Sequence, residues 1–376
     1  MPTTARVLIV DDSRIFRSAL QAALADRDEI DVVGSVFSGQ KALEFLQATP
    51  PDVVTLDVEM PGMDGLETLR AIQRLNATRP PESAIGVIMV SAHTKRGADI
   101  TIRALQDGAF DFIAKPSGPN HDDNLQQLRR LLLSKIRLFL LSRRRVTASS
   151  PAASSPAAEP VAQPPAALTG RRFQWLAAVS HRAVRGVVVA ASTGGPKALE
   201  TLLPGLRQHT NLPILVVQHM PPDFTRSLAE SLARLSHSTV IEARDGQAIQ
   251  PATTYIAPGG KHLLVRRERG QPVIGTNEQP PVNGCRPSAD ILFRSAAAAW
   301  SSDLVAIVLT GMGRDGTAGL AAVKRAGGYV LAQDETSSVV WGMPGSAVQA
   351  GVVDEVLPVT GIADVVGQLI ANQGQR

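Results

Sequence analysis

The sequence predicts an α/β chain of two domains. The first is a doubly wound domain on a five-stranded parallel sheet. The second is an α/β doubly wound domain with a mostly parallel sheet and an antiparallel hairpin. Three observations carry this. The 376 residues exceed one ordinary core and suit two. Residues 146–169 are nearly all Ala, Ser, Pro and Thr, so they cannot bury enough apolar area to offset their ordering entropy. On either side of that tract, short apolar runs alternate with stretches of helical period. The expected division is a domain over 1–141, a semi-rigid Ala/Pro/Ser-rich linker over 142–184, and a domain over 185–376.

In the first domain the strands fall at residues 7–10, 30–35, 53–56, 87–91 and 112–114. Each is a short β-branched or aliphatic run, and periodic stretches such as SRIFRSALQAALAD and LQQLRRLLLSKIRLFLL separate them. Repeated βα units of this kind imply a parallel sheet with helices on both faces. In the second domain residues 187–190, 214–218, 305–309 and 329–332 read as buried strands. Between them TTYIAPGGKHLLVRRERGQPVIG reads as antiparallel hairpin strands joined by the Pro-Gly-Gly turn.

The totals limit the function classes. Apolar residues make up 44% and charged residues 19%, as in globular proteins, while the 4% of aromatics leaves the cores aliphatic. One cysteine excludes a disulfide framework and suits a reducing compartment. The N-terminus lacks the apolar region of a secretion signal, and no run approaches the length of a membrane span. The expectation is a cytoplasmic protein without membrane insertion. Net charge is only +4, with much of the excess between Arg129 and Arg185. A local basic zone is not a nucleic-acid surface spread over a fold, so no nucleic-acid partner is expected. A helix-turn-helix output would need few strands in the second half, where buried strands stand instead.

In a doubly wound sheet, ligands sit at the carboxyl ends of the strands. Asp11 and Asp12 follow the first strand, Asp57 the third, Ser91 ends the fourth and Lys115 follows the fifth. Three carboxylates in one crevice raise one another's pKa. A hard divalent cation relieves that, and oxygen donors of this kind suit Mg²⁺. Ser91 and Lys115 suit the outer oxygens of a phosphoryl group, and Asp57 is the natural nucleophile toward phosphorus.

The second site starts from VVVAASTGGP, where a buried strand stops at Ser192 and glycines lead into a helix. The dinucleotide and P-loop fingerprints are both absent. A nucleophile elbow fits better: a tight strand-to-helix turn lifts the Ser192 hydroxyl off the sheet, and Pro196 suits the first helical turn. A serine needs a base, and ILVVQHMPPDF places His219 past another buried strand. A base needs an orienting carboxylate, and AIVLTGMGRDG places Asp315 past a third. The order Ser, His, Asp along the chain differs from that of α/β-hydrolases and of the two common serine protease types.

The first constellation, through VLIVDDS, TLDVEMPGMDG, VSA and AKP over residues 5–125, resembles the receiver domain of bacterial response regulators. The resemblance implies phosphorylation of Asp57 by a sensor histidine kinase. It implies Mg²⁺ held by Asp12, Asp57 and the carbonyl of Glu59, with Asp11 nearby. Ser91, Phe112 and Lys115 become the switch residues. The second half, through ASTGGPKAL, VVQHMPPDFTRSLAESL, YIAPGGKHL, LTGMGRDGTAGL and AQDETSSVVWGMPGSAV, resembles the chemotaxis protein-glutamate methylesterase family. That resemblance implies Ser192 as nucleophile, His219 as base and Asp315 as its orienter. The implied reaction hydrolyses glutamyl γ-methyl esters, and deamidates particular glutamines, on methyl-accepting chemoreceptors. It needs no cofactor. Backbone N–H groups near Thr193 and Met312 are the oxyanion candidates, and Thr225 and Arg226 the candidates for touching the substrate helix. A receiver beside an esterase implies inhibition until Asp57 is phosphorylated. Cys285 stands where the family often has histidine, and reads as a small thiol packed in a loop.

Overall fold

A computed structural model of the chain describes residues 4–148 and 184–371. It divides into two compact units, residues 1–153 and 154–376. Most of the expected linker, 149–183, lies outside the described residues.

The first unit is built on strands β1 (Ala5–Val10), β2 (Ile30–Val36), β3 (Val53–Asp57), β4 (Gly86–Ser91) and β5 (Asp111–Ala114). They pair in parallel in the order β2-β1-β3-β4-β5. The chain reverses direction of travel between β1 and β3, so the carboxyl ends of those two strands open one crevice. β3 and β4 are buried along their whole length, which is why they read as continuous apolar runs. The helices are α1 (Arg14–Leu24), α2 (Gly39–Ala48), α3 (Gly65–Asn76), α4 (Lys95–Gln106) and α5 (His121–Ala148). Their starts are written locally. Ser13 caps α1 by accepting from the N–H of Phe16, and Asp64 and Glu67 close a reciprocal capping box on α3. α5 continues to Ala148, so residues 142–148 of the expected linker are helical.

The second unit contains a seven-stranded sheet. Its strands are β6 (Gly186–Ala191), β7 (Ile214–Gln218), β8 (Thr239–Glu242), β9 (Thr253–Ile256), β12 (Leu304–Val308), β13 (Tyr329–Gln333) and β14 (Glu355–Leu357), in the order β14-β13-β12-β6-β7-β9-β8. Every pairing is parallel. The helices are α6 (Gly195–His209), α7 (Phe224–Ser236), α8 (Ala289–Trp300), α9 (Thr317–Arg325), α10 (Met343–Gln349) and α11 (Val359–Ala371). Val188, Leu215, Tyr255, Phe293 and Val308 belong to one core that joins the sheet to α8.

A separate antiparallel pair, β10 (His262–Glu268) and β11 (Gln271–Asn277), forms the hairpin. Its location corrects the expected strand pairing. The Pro258-Gly259-Gly260 segment is not the hairpin turn: it carries the chain from β9, inside the parallel sheet, to the separate pair. The tight turn is Arg269-Gly270, with φ of 49° and 82°. Two consecutive positive φ values give the backbone twist that a two-residue hairpin loop needs.

Candidate functional sites

The first site lies at the crevice of the five-stranded sheet. Asp11, one residue past β1, is fully buried, and Asp57, the last residue of β3, is nearly so. Lys115, just past β5, donates to Oδ2 of Asp11 and to Oδ2 of Asp57, at 2.9 Å each. Asp12 joins them: one carboxylate oxygen from each of the three aspartates lies within 4.8 Å of the others. Burial first, then the Asp11 charge, push the Asp57 carboxyl up to about 6 against the pull of Lys115. One ammonium therefore does not neutralise three carboxylates. This all-oxygen donor set fits a hard divalent cation such as Mg²⁺.

Ser91 ends β4 and is fully buried, its hydroxyl donating to the Ala92 carbonyl at 3.3 Å. Phe112 is buried on β5. The Glu59 side chain turns outward to Arg96 at 3.5 Å, so it does not join the carboxylate cluster.

The second site lies at the carboxyl ends of β6, β7 and β12, three adjacent strands of the large sheet. Register makes the convergence. Ala191 of β6 pairs with Gln218 of β7, so Ser192 and His219 are the next residues on neighbouring strands. The His219 N–H donates to the Ala191 carbonyl at 3.1 Å, and the Ser192 N–H to the Thr310 carbonyl beyond β12 at 3.0 Å. The elbow at Ser192 is tight. Gly194 sits at φ 79°, and a Cβ on Gly195 would fall 1.9 Å from Oε1 of Gln218. The Ser192 carbonyl accepts from Gly195 N–H and from Nε2 of Gln218, which fixes the turn.

His219 Nε2 lies 2.8 Å from Oδ2 of Asp315. The carboxylate partner makes Nε2 the protonated nitrogen and leaves Nδ1 as the acceptor. Asp315 is buried and densely held. Its oxygens accept from Ser288 Oγ at 2.7 Å, the Ala289 N–H at 2.6 Å and Asn283 Nδ2 at 3.2 Å. Burial pushes the Asp315 carboxyl up, but His219 foremost, with the hydrogen bonds from Ser288 and the Ala289 N–H, holds it down at about 2. For His219, burial disfavours the cation, but the bond to Asp315 and the contact with Cys285 prevail and push it up to about 9. Among the described residues Ser192 Oγ makes no hydrogen bond to the ring; Cys285 Sγ faces Nδ1 instead, at 3.7 Å.

Sequence reasoning did not find Asn283, Ser288 or the closeness of Cys285 to the imidazole. All three lie on the loop between β11 and α8, which has no periodicity to read. The only local signal was the position of Ser288 at the start of an apolar helical run.

Thr193 is the residue after Ser192, and Met312 the residue after Gly311. Gly311 packs so close to Ser192 that an added Cβ would meet the Ser192 Cβ at 2.8 Å, and Met312 follows it. The Met312 side chain is exposed, and Thr193 is buried with its carbonyl accepting from Thr310 Oγ1. Thr225 is fully buried. It donates to Glu242 Oε1 at 2.7 Å and accepts from the Gly259 N–H at 3.0 Å. It is a structural tie between α7, β8 and the Pro-Gly-Gly segment, which overturns its expected contact with a substrate helix. Arg226 remains exposed. Of the described members of the basic zone, Lys135 pairs with Asp111, Arg137 with Glu29, Arg143 with Asp52 and Arg185 with Asp303, while Arg129 donates to the carbonyls of Ala22 and Ala23 and Arg130 is exposed. Among the described residues no helix is long and apolar enough to cross a membrane.

The CheB methylesterase family matches residues 187–366, and the response regulator receiver domain family matches residues 7–127. A protein-glutamate methylesterase/protein-glutamine glutaminase of Geobacillus kaustophilus is 42% identical over 98% of this chain and 99% of its own length. A second, from Caulobacter vibrioides, is 43% identical over 98% of this chain and 99% of its own. The crystal structure of the Thermotoga maritima CheB methylesterase catalytic domain is 42% identical, covering 50% of this chain and 98% of that one at a TM-score of 0.48.

Proposed function

The chain belongs to the protein-glutamate methylesterase/protein-glutamine glutaminase family, and we propose that it hydrolyses glutamyl γ-methyl esters, and deamidates glutamines, on methyl-accepting chemoreceptors under control of its receiver. The observation that carries this is the His219–Asp315 pair at 2.8 Å on the strand end next to Ser192. The proposed chemistry is acyl transfer. Nδ1 of His219 takes the Ser192 proton as Oγ attacks the ester carbonyl. Backbone N–H groups near Thr193 and Met312 are the proposed donors to the tetrahedral oxyanion. His219 then returns the proton to the leaving methoxide, and methanol departs. Water, deprotonated by the same nitrogen, attacks the acyl carbonyl; the bond to Oγ breaks, His219 returns the proton to Ser192, and the glutamate is released. An amide substrate follows the same course with ammonia as the leaving group. Asp315 holds the ring by Nε2 throughout and stabilises the imidazolium.

In the receiver, Asp11, Asp12 and Asp57 are the side chains proposed to hold Mg²⁺, with the Glu59 carbonyl. Such a cation, when bound, neutralises charge around an incoming phosphoryl group. Asp57 supplies the attacking oxygen, and a sensor histidine kinase is the proposed donor. Lys115 is already drawn to Asp57, and the buried Ser91 and Phe112 are the groups proposed to rearrange around a new dianion. That rearrangement is proposed to lift inhibition of the esterase.

The test is methanol release from methylated receptor by the parent, Ser192→Ala and Asp57→Asn. Loss in Ser192→Ala, and loss of stimulation by a phosphodonor in Asp57→Asn, are expected. Full activity of Ser192→Ala removes the nucleophile assignment.

A further inference from the structure

Cys285 and His219 carry a second possibility that ester hydrolysis does not use. Nδ1 of His219 and Sγ of Cys285 lie 3.7 Å apart. Zinc bonds to imidazole nitrogen at about 2.0–2.1 Å and to thiolate sulfur at about 2.3 Å, so a tetrahedral angle at the metal separates the two donors by roughly 3.6 Å. The two atoms already stand at that separation.

The surroundings suit a cation further. Metal-bound histidines donate their other ring nitrogen to a carboxylate, which orients the ring and raises its basicity. His219 does this: Nε2 is tied to Asp315, and Ser288, Ala289 and Asn283 hold Asp315 in turn. The Cys285 main chain is held as well, because Cys285 and Val282 exchange both backbone hydrogen bonds, at 2.9 and 3.1 Å. Cys285 is a partly exposed residue.

We propose that His219 Nδ1 and Cys285 Sγ form a binding site for a borderline-soft divalent cation, with zinc as the natural fit, and that its occupancy shuts off the esterase. Each donor binds through a lone pair, and any proton it carries leaves to solvent; no electron is transferred. Water completes the coordination. The cation takes the lone pair that Ser192 needs, so occupancy and acyl transfer exclude each other. Binding stands on the geometry alone; only the inhibition rests on the proposed function.

The experiment separates the two with the full-length protein. Cobalt(II), added as a spectroscopic probe for zinc, should give a thiolate-to-cobalt charge-transfer band in the parent and in Asp57→Asn, and none in Cys285→Ala. Removing the orienting carboxylate in Asp315→Asn should weaken cobalt binding by about 10–100-fold. Zinc should abolish methanol release by the parent, reversibly with chelator. It should leave the rate of Cys285→Ala unchanged from that variant's own zinc-free rate. A parent without the band, or a His219→Ala that retains it at the same cobalt concentration, overturns the site. A band in the parent with undiminished methanol release keeps the site and overturns Nδ1 as the proton acceptor. Circular dichroism of each variant confirms that a lost band is not a lost fold.

Discussion

The pH profile of the esterase follows from the groups around one imidazole. Burial lowers the affinity of His219 for its second proton, but the bond to Asp315 and the contact with Cys285 outweigh it and set the value at about 9. A base must be neutral to accept the Ser192 proton. With that value, roughly one molecule in a hundred is competent at pH 7. The measurement is kcat/KM for methanol release in metal-free buffer. It should climb about tenfold per pH unit from neutrality and level off above about pH 9. Cys285→Ala removes one of the groups holding the proton, so its plateau should begin at lower pH. Stability runs the other way. His219 binds its proton more tightly folded than unfolded, so its contribution is complete below its ordinary 6.5 and fades as pH rises through about 9. Asp315, held at about 2, contributes fully above its ordinary 3.8 and loses that contribution as pH falls through about 2. The midpoint of thermal unfolding should therefore fall between pH 6.5 and 9.5 while activity rises. A rate that is flat from pH 7 to 9, or a Cys285→Ala profile identical to that of the parent, refutes the account of His219.

Asp315→Asn keeps the shape of the pocket but loses the orienting charge, and kcat should drop by about 10⁴, measured as methanol release. Thr225→Val leaves Glu242 and the Gly259 N–H without their shared partner, so it should cost about 1–3 kcal/mol in urea unfolding with KM for receptor unchanged. A raised KM at full stability would restore Thr225 to the substrate surface. Gly311→Ala forces a methyl to within 2.5 Å of Met343 Sδ and 2.8 Å of the Ser192 Cβ. Its kcat should fall, with about 1–3 kcal/mol of destabilisation seen in the same unfolding assay. Lys115→Ala removes the cation bridging Asp11 and Asp57 and should raise the Asp57 carboxyl further above 6, read by titration of the isotopically labelled side chain.

The parallel strands were legible because strands covered on both faces admit only apolar residues, as in VVTLD and ILVVQ. β8 and β14 were not, and their position explains it. Both stand at the edges of the large sheet, and TVIE and EVL are short, mixed in polarity and only partly buried. The hairpin was mispaired for a related reason. TTYI is an apolar, β-branched run that suits a parallel or an antiparallel neighbour equally. What decided its sheet was the positive φ at Arg269-Gly270, which claimed the tight turn for the strands on either side of it.

The same distinction governs the candidate site on the large sheet. Ser192, His219 and Asp315 were legible because a parallel sheet brings every strand's carboxyl end to one rim, so residues far apart in the chain share an address. Cys285, Asn283 and Ser288 have no such address. They reach His219 and Asp315 from a loop whose path is set by the Val282–Cys285 backbone pair and by the docking of α8 under Asp315. What such a loop supplies is decided in three dimensions: Asn283 and Ser288 hold the carboxylate, and Cys285 faces the nitrogen proposed to take the Ser192 proton. A strand-end reading therefore recovers which groups share the rim, whereas the loop decides how tightly His219 holds its proton, and the pH profile of Cys285→Ala measures that second contribution directly.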